Sequence, residues 1–380
     1  MGRWINLIKQ ILCFALVLSL TFLGFSYKTE AYSAASYCLY DPLLKKVIAS
    51  KDKDRRLSMA STTKIMTALI TCEICDLSDI VEVTDKMIAV EGSSIGLQVG
   101  DKISYKDLLY GLMLESGNDA ALCIAVSISG SQEDFSILMN QKAKLIGMKN
   151  SNFVTPNGLD DENHYSTAYD MALLSSYAMN NKIFSNIVST KTYKAIYNFG
   201  EKERTYYNHN RLLSFLDGAD GIKTGFTKKS GRCLVSSCKR NGVRLIAVTL
   251  NDGNDWQDHK NLYEYGFKQY QPVVLPKIVK YISVTGSSNK EIRAESKQKN
   301  IYFYDGLYSN IKTKVHLPRF LYSPIKKGEK IGFVEYYFEN SVIETADILA
   351  CEDANVIKTE NKEFILNEII KIFTMILCVK

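Results

Sequence analysis

Ser61 and Lys64 stand three positions apart at the head of an apolar run, a spacing that sets a hydroxyl and an amine on one face of a helix within hydrogen-bond reach. Serine is a weak nucleophile until a neighbouring base takes its proton. Histidine is the usual base. His164, His209, His259 and His316, however, sit in no nucleophile-elbow context, and Gly-x-Ser-x-Gly is absent, so they read as surface or structural groups. Lysine is the other solution. Its ordinary pKa of about 10.4 must first fall by units, through burial or a second cation. Ser50 with Lys53 and Ser323 with Lys326 repeat the spacing, but in charged or turn-like stretches. Only Ser61 opens an apolar helix, expected over residues 59–73, where unpaired N–H groups and the dipole concentrate positive potential.

Two further tripeptides follow in order, Ser116-Gly117-Asn118 and Lys223-Thr224-Gly225. Taken singly, one is an ordinary loop turn and the other the exposed basic end of a strand. At usage of roughly 5–7% per residue type, each tripeptide is expected about 0.1 times in a chain of this length, and the ordered set at about the one per cent level. Lys223 is the natural second cation for Lys64.

With these three elements the chain resembles the low-molecular-mass penicillin-binding proteins, serine DD-carboxypeptidases of the fold shared with class A β-lactamases. Residues 59–69, 107–121, 153–170 and 220–227 also look like the family, and the resemblance runs from about Tyr37 to the end. It implies an α+β fold, an antiparallel sheet flanked by helices with an all-helical subdomain, followed by a small all-β domain and a C-terminal amphipathic helix. It also implies removal of the terminal D-alanine from peptidoglycan stem pentapeptides through an acyl-enzyme on Ser61, with β-lactam antibiotics as covalent inhibitors. Lys64 would be the base, Ser116 the proton relay and Asn118 a holder of the substrate backbone. Lys223 and Thr224 would receive the substrate carboxylate. Gly225 would lie against the substrate, and the backbone N–H groups of Ser61 and Phe226 would form the oxyanion hole. No cofactor and no metal are expected.

Some relatives place a carboxylate-binding arginine after the second hairpin strand. Residues 252–260 contain none, which leaves Thr224, Lys223, Thr227 and Lys260 as candidates. A β-lactamase usually needs a dedicated glutamate for fast deacylation, and no Glu-x-x-Leu-Asn stretch lies between Asn118 and Lys223. A β-lactamase or esterase on this scaffold, or a catalytically idle penicillin-sensing or wall-binding protein, are the competing readings.

The elements that must position these groups are legible in outline. Helices are expected over 106–114 and 119–127, broken at Ser116-Gly117-Asn118. Thr167 with Asp170 reads as a capping box opening a helix through Met179. Residues 232–239 and 243–250 flank Asn241-Gly242, a strong hairpin signal, and place Lys223 beside that hairpin. After Pro272 and Pro276 the chain turns strand-rich, with strands expected at 301–304, 314–317, 330–338 and 342–350.

The 380 residues accommodate about two domains. The expected division is a signal peptide over 1–33, a peptidase domain over 34–271, an all-β domain over 272–356 and an amphipathic membrane-anchoring helix over 357–380. Arg3 and Lys9 ahead of the apolar run 11–25 have the layout of an export signal, cleaved within 31–36, the alternative being an uncleaved anchor. The bulk of the chain is thus expected outside the cytoplasm, at the outer face of the cytoplasmic membrane or in the cell wall. In the tail, polar residues recur every three or four positions. This favours a helix lying in a membrane surface over one crossing it, with packing on the protein's own core as the alternative. A net charge of +6 with no basic, aromatic-interleaved block gives no nucleic-acid footprint. The nine cysteines are odd in number and irregularly spaced, so they read as thiols; Cys72 and Cys75 lack a partner pair for zinc.

Overall fold

The computed structural model describes residues 32–357 and 362–377; the stretch up to residue 31, on which the expected export signal falls, lies outside these. Two strands open the fold, β1 (Ser36–Asp41) and β2 (Lys46–Lys51). Four short ones, β3 (Ile80–Glu82), β4 (Lys102–Ser104), β5 (Thr192–Tyr197) and β6 (Lys202–Tyr207), form a side sheet. The main sheet is completed by β7 (Ala219–Thr227), β8 (Gly231–Arg240) and β9 (Val243–Leu250), in the antiparallel order β2-β1-β9-β8-β7. Asn241, at a φ of 51°, and Gly242 make the tight turn between β8 and β9 that their types predicted. The order leaves β7 at the sheet edge.

The longer helices are α1 (Lys64–Ile74), α2 (Tyr105–Leu114), α3 (Asn118–Ser129), α4 (Gln132–Ile146), α5 (Ala168–Met179), α6 (Lys182–Ser189) and α7 (Asp255–Phe267). Leu39 and Tyr40 are neighbours on β1 and so point to opposite faces of the sheet. Gly266 of α7 lies over Leu39, with room only for hydrogen: a Cβ there would stand 2.6 Å from Leu39 Cδ2. Tyr169 of α5 meets Tyr40 edge-on, with ring centroids 6.0 Å apart. The sheet is thus sandwiched between α7 and α5, and on the α5 side α1 runs through a buried apolar cluster shared with α2, α3, α4 and α5. Every residue of α1 from Lys64 to Cys72 is buried, which fits a central rather than a surface helix. Thr167 caps α5 by accepting from Asp170 N at 3.0 Å, but the expected capping box is only half formed: the Asp170 carboxylate turns instead to Asn150 N and Ser151 Oγ, each at 2.7 Å.

The second module begins at β10 (Tyr270–Val274), which continues from α7 and pairs antiparallel with β13 (Asn300–Tyr304). Its six-stranded sheet comprises β11 (Val279–Thr285), β12 (Glu291–Ser296), β14 (Lys312–His316), β15 (Phe320–Tyr322), β16 (Lys330–Phe338) and β17 (Ser341–Ala350), in the order β14-β16-β17-β12-β11-β15. It has an apolar core of its own around Ile292, Val334, Tyr336 and Ile348. Three of its strands, β11, β12 and β15, were not expected from the sequence, although β12 alternates buried and exposed residues along its length. The two modules are joined at one end: the Tyr270 hydroxyl donates to the Asp41 carboxylate, the Tyr270 and Tyr304 rings meet edge-on, and Lys46 sits 4.2 Å above the Tyr304 ring.

The tail helix α8 (Lys362–Leu377) carries Leu366, Ile369, Ile370 and Phe373 exposed on one stripe. Among the described residues no helix is long and apolar enough to cross a membrane.

Candidate active site

Ser61 does not open the α-helix itself. It lies in a 3-10 turn, Ala60–Thr63, that feeds directly into α1 at Lys64. Ala60 holds a φ of 48°, and Thr62 donates its hydroxyl to Met59 O at 2.6 Å, so the turn is locked from within. It is also clamped from outside. Thr63 Oγ1 lies 2.8 Å from His164 Nε2, while His164 Nδ1 accepts from Val154 N at 2.9 Å. That contact fixes the tautomer with the proton on Nε2, donated to Thr63. Burial pushes His164 down to about 4, so the ring stays neutral and its role is structural, as is that of buried His259, bonded to Ser236 and Thr249.

Lys64 is the pivot of the site. Its Nζ lies 2.8 Å from Ser61 Oγ, 2.6 Å from Asn118 Oδ1 and 2.8 Å from Asn157 O, and the residue is fully buried. Burial first, and then the charge of Lys223, hold its pKa well below the usual lysine value; Asp119 opposes them. A neutral amine has two N–H groups and one lone pair. The two oxygens of Asn118 and Asn157 use the N–H groups, and the lone pair is left for the Ser61 hydroxyl proton. The geometry is that of a base already touching the proton it would take.

Asn118 begins α3 and is committed inside the protein: besides its oxygen on Lys64, its Nδ2 donates to Glu91 O at 2.7 Å. It faces the amine as well as the cleft. Asp119 beside it accepts from Ser94 Oγ at 2.6 Å, Ile95 N at 2.9 Å and Leu97 N at 3.1 Å, tying the loop 93–97 to the start of α3. Ser116 ends the preceding connection at a φ of 62°, only 7% exposed.

Strand β7 brings the third element. Lys223 is buried, its Nζ donating to Thr224 O at 3.0 Å, and burial lowers it to about 7. Gly225 passes against the nucleophile's turn: a Cβ there would stand 3.0 Å from Ser61 N and 3.1 Å from Thr62 N, so no side chain fits without a shift. Thr227 N donates to Ser230 Oγ in the β7–β8 turn. Because successive N–H groups along a strand alternate in direction, that of Phe226 points out from the sheet edge, towards the gap that also holds Ser61 N. Thr224 is half-buried and Phe226 is 66% exposed at the rim.

Ser61, Lys64, Asn118 and Lys223 are therefore brought together, with Gly225 against the Ser61 turn and Ser116, Thr224 and Phe226 next to these residues along the chain. Two contributors had no signature in the sequence. Asn157 enters through its backbone carbonyl, which no residue type announces. His209, read as surface or structural, lies 3.6 Å from the Glu115 carboxylate, and its pKa is lowered by burial and then by Lys223, so it borders the site. The seven described cysteines are all free, five of them buried; Cys72 lies within α1, while Cys75 is half-buried just past its end.

A serine in a 3-10 turn, a buried lysine 2.8 Å from it with its charge suppressed, and an edge strand carrying a second cation form an arrangement suited to Ser–Lys chemistry. A sequence profile of the D-alanyl-D-alanine carboxypeptidases matches residues 24–254, and one of the penicillin-binding protein 5 C-terminal domain matches residues 267–355. The D-alanyl-D-alanine carboxypeptidase DacF of Bacillus subtilis is 33% identical over 337 residues, covering 85% of this chain and 86% of its own. DacC of Escherichia coli is 31% identical over 353 residues, covering 86% and 85%. Among solved structures, penicillin-binding protein 5 of Haemophilus influenzae is similar with a TM-score of 0.61 at 27% identity, over 87% of this chain and 100% of that one. The Streptomyces K15 DD-transpeptidase, as a single-site mutant, gives 0.60 at 31%, over 63% and 99%. The chain belongs to the D-alanyl-D-alanine carboxypeptidase family, and it is a serine-type carboxypeptidase of the penicillin-binding class.

Proposed function

We propose that Ser61 is the nucleophile and Lys64 its general base in removing the terminal D-alanine from peptidoglycan stem pentapeptides. The observation that carries this reading is the Lys64 amine, stripped of charge by burial and Lys223 and placed 2.8 Å from the Ser61 hydroxyl. Lys64 takes the hydroxyl proton as Ser61 Oγ bonds to the penultimate D-alanine carbonyl carbon. The oxyanion is met by the N–H groups of Ser61 and Phe226, each worth about 3 kcal/mol in the transition state. Ser116 relays the proton to the departing amine nitrogen, the C–N bond breaks, and water hydrolyses the ester. Asn118 holds Lys64 in line and borders the substrate backbone. Thr224 and Lys223 receive the substrate carboxylate, and Gly225 lets β7 approach the nucleophile. A β-lactam follows the same first step and remains on Ser61.

The peptidase domain is proposed to span 34–271 and the all-β domain 272–356, after an export signal over 1–33. The segment 357–380 rests on a membrane surface through its exposed stripe of Leu366, Ile369, Ile370 and Phe373. On this reading the enzyme works at the outer face of the cytoplasmic membrane, against the cell wall.

Incubation with a fluorescent penicillin, wild type against Ser61→Ala, tests the nucleophile: serine-dependent labelling is expected. Labelling that survives Ser61→Ala would reject Ser61 as nucleophile, and no labelling at all would leave the binding-only reading. D-Alanine release from a pentapeptide is expected to outpace nitrocefin hydrolysis; the reverse ranking would make the protein a β-lactamase.

A further inference from the structure

The candidates considered for the substrate carboxylate were Thr224, Lys223, Thr227 and Lys260. Thr227 has its hydroxyl turned to Ser230 Oγ at 2.9 Å, within the β7–β8 turn, and Lys260 is exposed on α7. A better-placed cation stands on β8. In the β7–β8 register Thr224 lies opposite Leu234 and Phe226 opposite Arg232. Directly opposed residues share a face, so Thr224, Phe226 and Arg232 all belong to the α7 side, and Arg232 is the diagonal neighbour of Thr224, at about 7 Å between side-chain roots. A guanidinium spans that distance.

The side chain is also held. Arg232 Nε donates to Asp255 Oδ2 at 3.0 Å and Nη2 to Asp255 Oδ1 at 2.8 Å, a two-point fork on the first residue of α7. The Trp256 ring lies 5.8 Å below the guanidinium carbon. The Asp255 side chain is only 4% exposed, while that of Arg232 is 44% exposed. The acid is therefore buried to fix the arginine, and the arginine remains open. The fork occupies Nε and Nη2, so Nη1 is not engaged by that carboxylate. A substrate laid along the edge of β7 presents alternate groups to the two faces of the sheet. With the scissile carbonyl at Ser61 and Phe226 N, the group beyond it can turn onto the face of Thr224 and Arg232.

We infer that Arg232, positioned by Asp255, binds the terminal carboxylate of the substrate together with Thr224 and so sets the enzyme's demand for a free C-terminus. The inference rests on the carboxypeptidase reading above. A structural tie between β8 and the start of α7 would use the same two bonds with Asp255, so the test must read the carboxylate itself.

The probe is a pair of benzoyl-D-alanyl thioesters, one whose leaving group ends in a free carboxylate and the other its methyl ester, each assayed for kcat/KM. The free-acid to ester ratio is expected to drop about 10–100-fold in Arg232→Gln, the size of a lost charge-assisted contact, and by less in Arg232→Lys. A ratio within threefold of wild type in a folded Arg232→Gln protein would overturn the proposal. Failure of the wild type to turn over either thioester would instead count against the carboxypeptidase reading. A crystal structure of the wild-type penicillin acyl-enzyme decides the point even if both variants misfold. The carboxylate is expected within hydrogen-bond reach of Arg232 Nη1; a carboxylate bound elsewhere rejects the role.

Discussion

Gly158 lies so close over Ala60 that a Cβ on the glycine would stand 1.9 Å from the Ala60 carbonyl oxygen. Its φ of +86° is a second reason for glycine there. The loop that supplies the Asn157 carbonyl to Lys64 thus presses directly on the residue before the nucleophile. Gly158→Ala is expected to separate the two, lowering the rate of penicillin acylation at least about 100-fold and stability by roughly 2 kcal/mol. Stopped-flow acylation and urea unfolding measure both; wild-type acylation in the variant would show that this contact does not hold the nucleophile in place.

Lys223 must keep its proton to attract a carboxylate, and burial has brought its pKa down to about 7. Carboxypeptidase kcat/KM should therefore decline as pH rises through that region. The acid limb belongs to Lys64, which must be neutral. Lys223→Arg keeps a cation throughout and should push the alkaline limb up by roughly a unit or more. A pH profile that does not move would assign that limb to another group.

The same shift has a stability consequence. Because the folded pKa of Lys223 lies below its unfolded value of 10.5, the folded chain binds fewer protons between about 7 and that value, so stability climbs with pH across this window. Below it the cost is present in full. Lys223→Met should raise Tm at pH 6 by roughly 5 °C, flatten the climb, and abolish activity. Calorimetry at several pH values checks this; an unchanged slope would contradict it.

Asp119 joins the loop 93–97 to α3 through three bonds while opposing the loss of charge on Lys64. Asp119→Ala is expected to lower kcat about 100-fold through displacement of Asn118 and, with it, of the base. A change confined to KM would place the effect on substrate binding alone.

Burial raises Cys38, Cys72, Cys123 and Cys238 to about 12 and Cys233 to about 11, which leaves them as thiols with little nucleophilic character. A thiol reagent at pH 8 should find Cys75 and Cys351 in the folded protein and reach these five only on unfolding. Rapid modification of Cys123 or Cys233 before unfolding would show that their surroundings open.

The cluster of Ser61, Lys64 and Lys223 was legible because it is tied to residue types at fixed spacings. Strong local signals also translated well: Asn241-Gly242 gave its turn and Thr167 its cap. What escaped was built from non-local or backbone contacts. Asn157 acts through a carbonyl that every residue possesses. An arginine opening a strand is ordinary in sequence, and Arg232 stands out only once the β7–β8 register sets it diagonal to Thr224 and α7 brings Asp255 to it. Ser61 was expected on an α-helix, whereas the close approach of Gly158 and Gly225 accompanies a tighter 3-10 turn. β11, β12 and β15 find their partners in a sheet whose strands are ordered across the chain; β15 is only three residues long, and the alternation of β12 is carried by short, charged stretches.

The bond from Tyr270 to Asp41 ties the start of the second module to the first strand of the catalytic sheet. Held by side-chain contacts as well as by the chain, the second module is more than a trailing appendage of the first. A displacement of either module is then passed to the other through that bond and the Tyr304 contacts beside it, and not through the linking backbone alone.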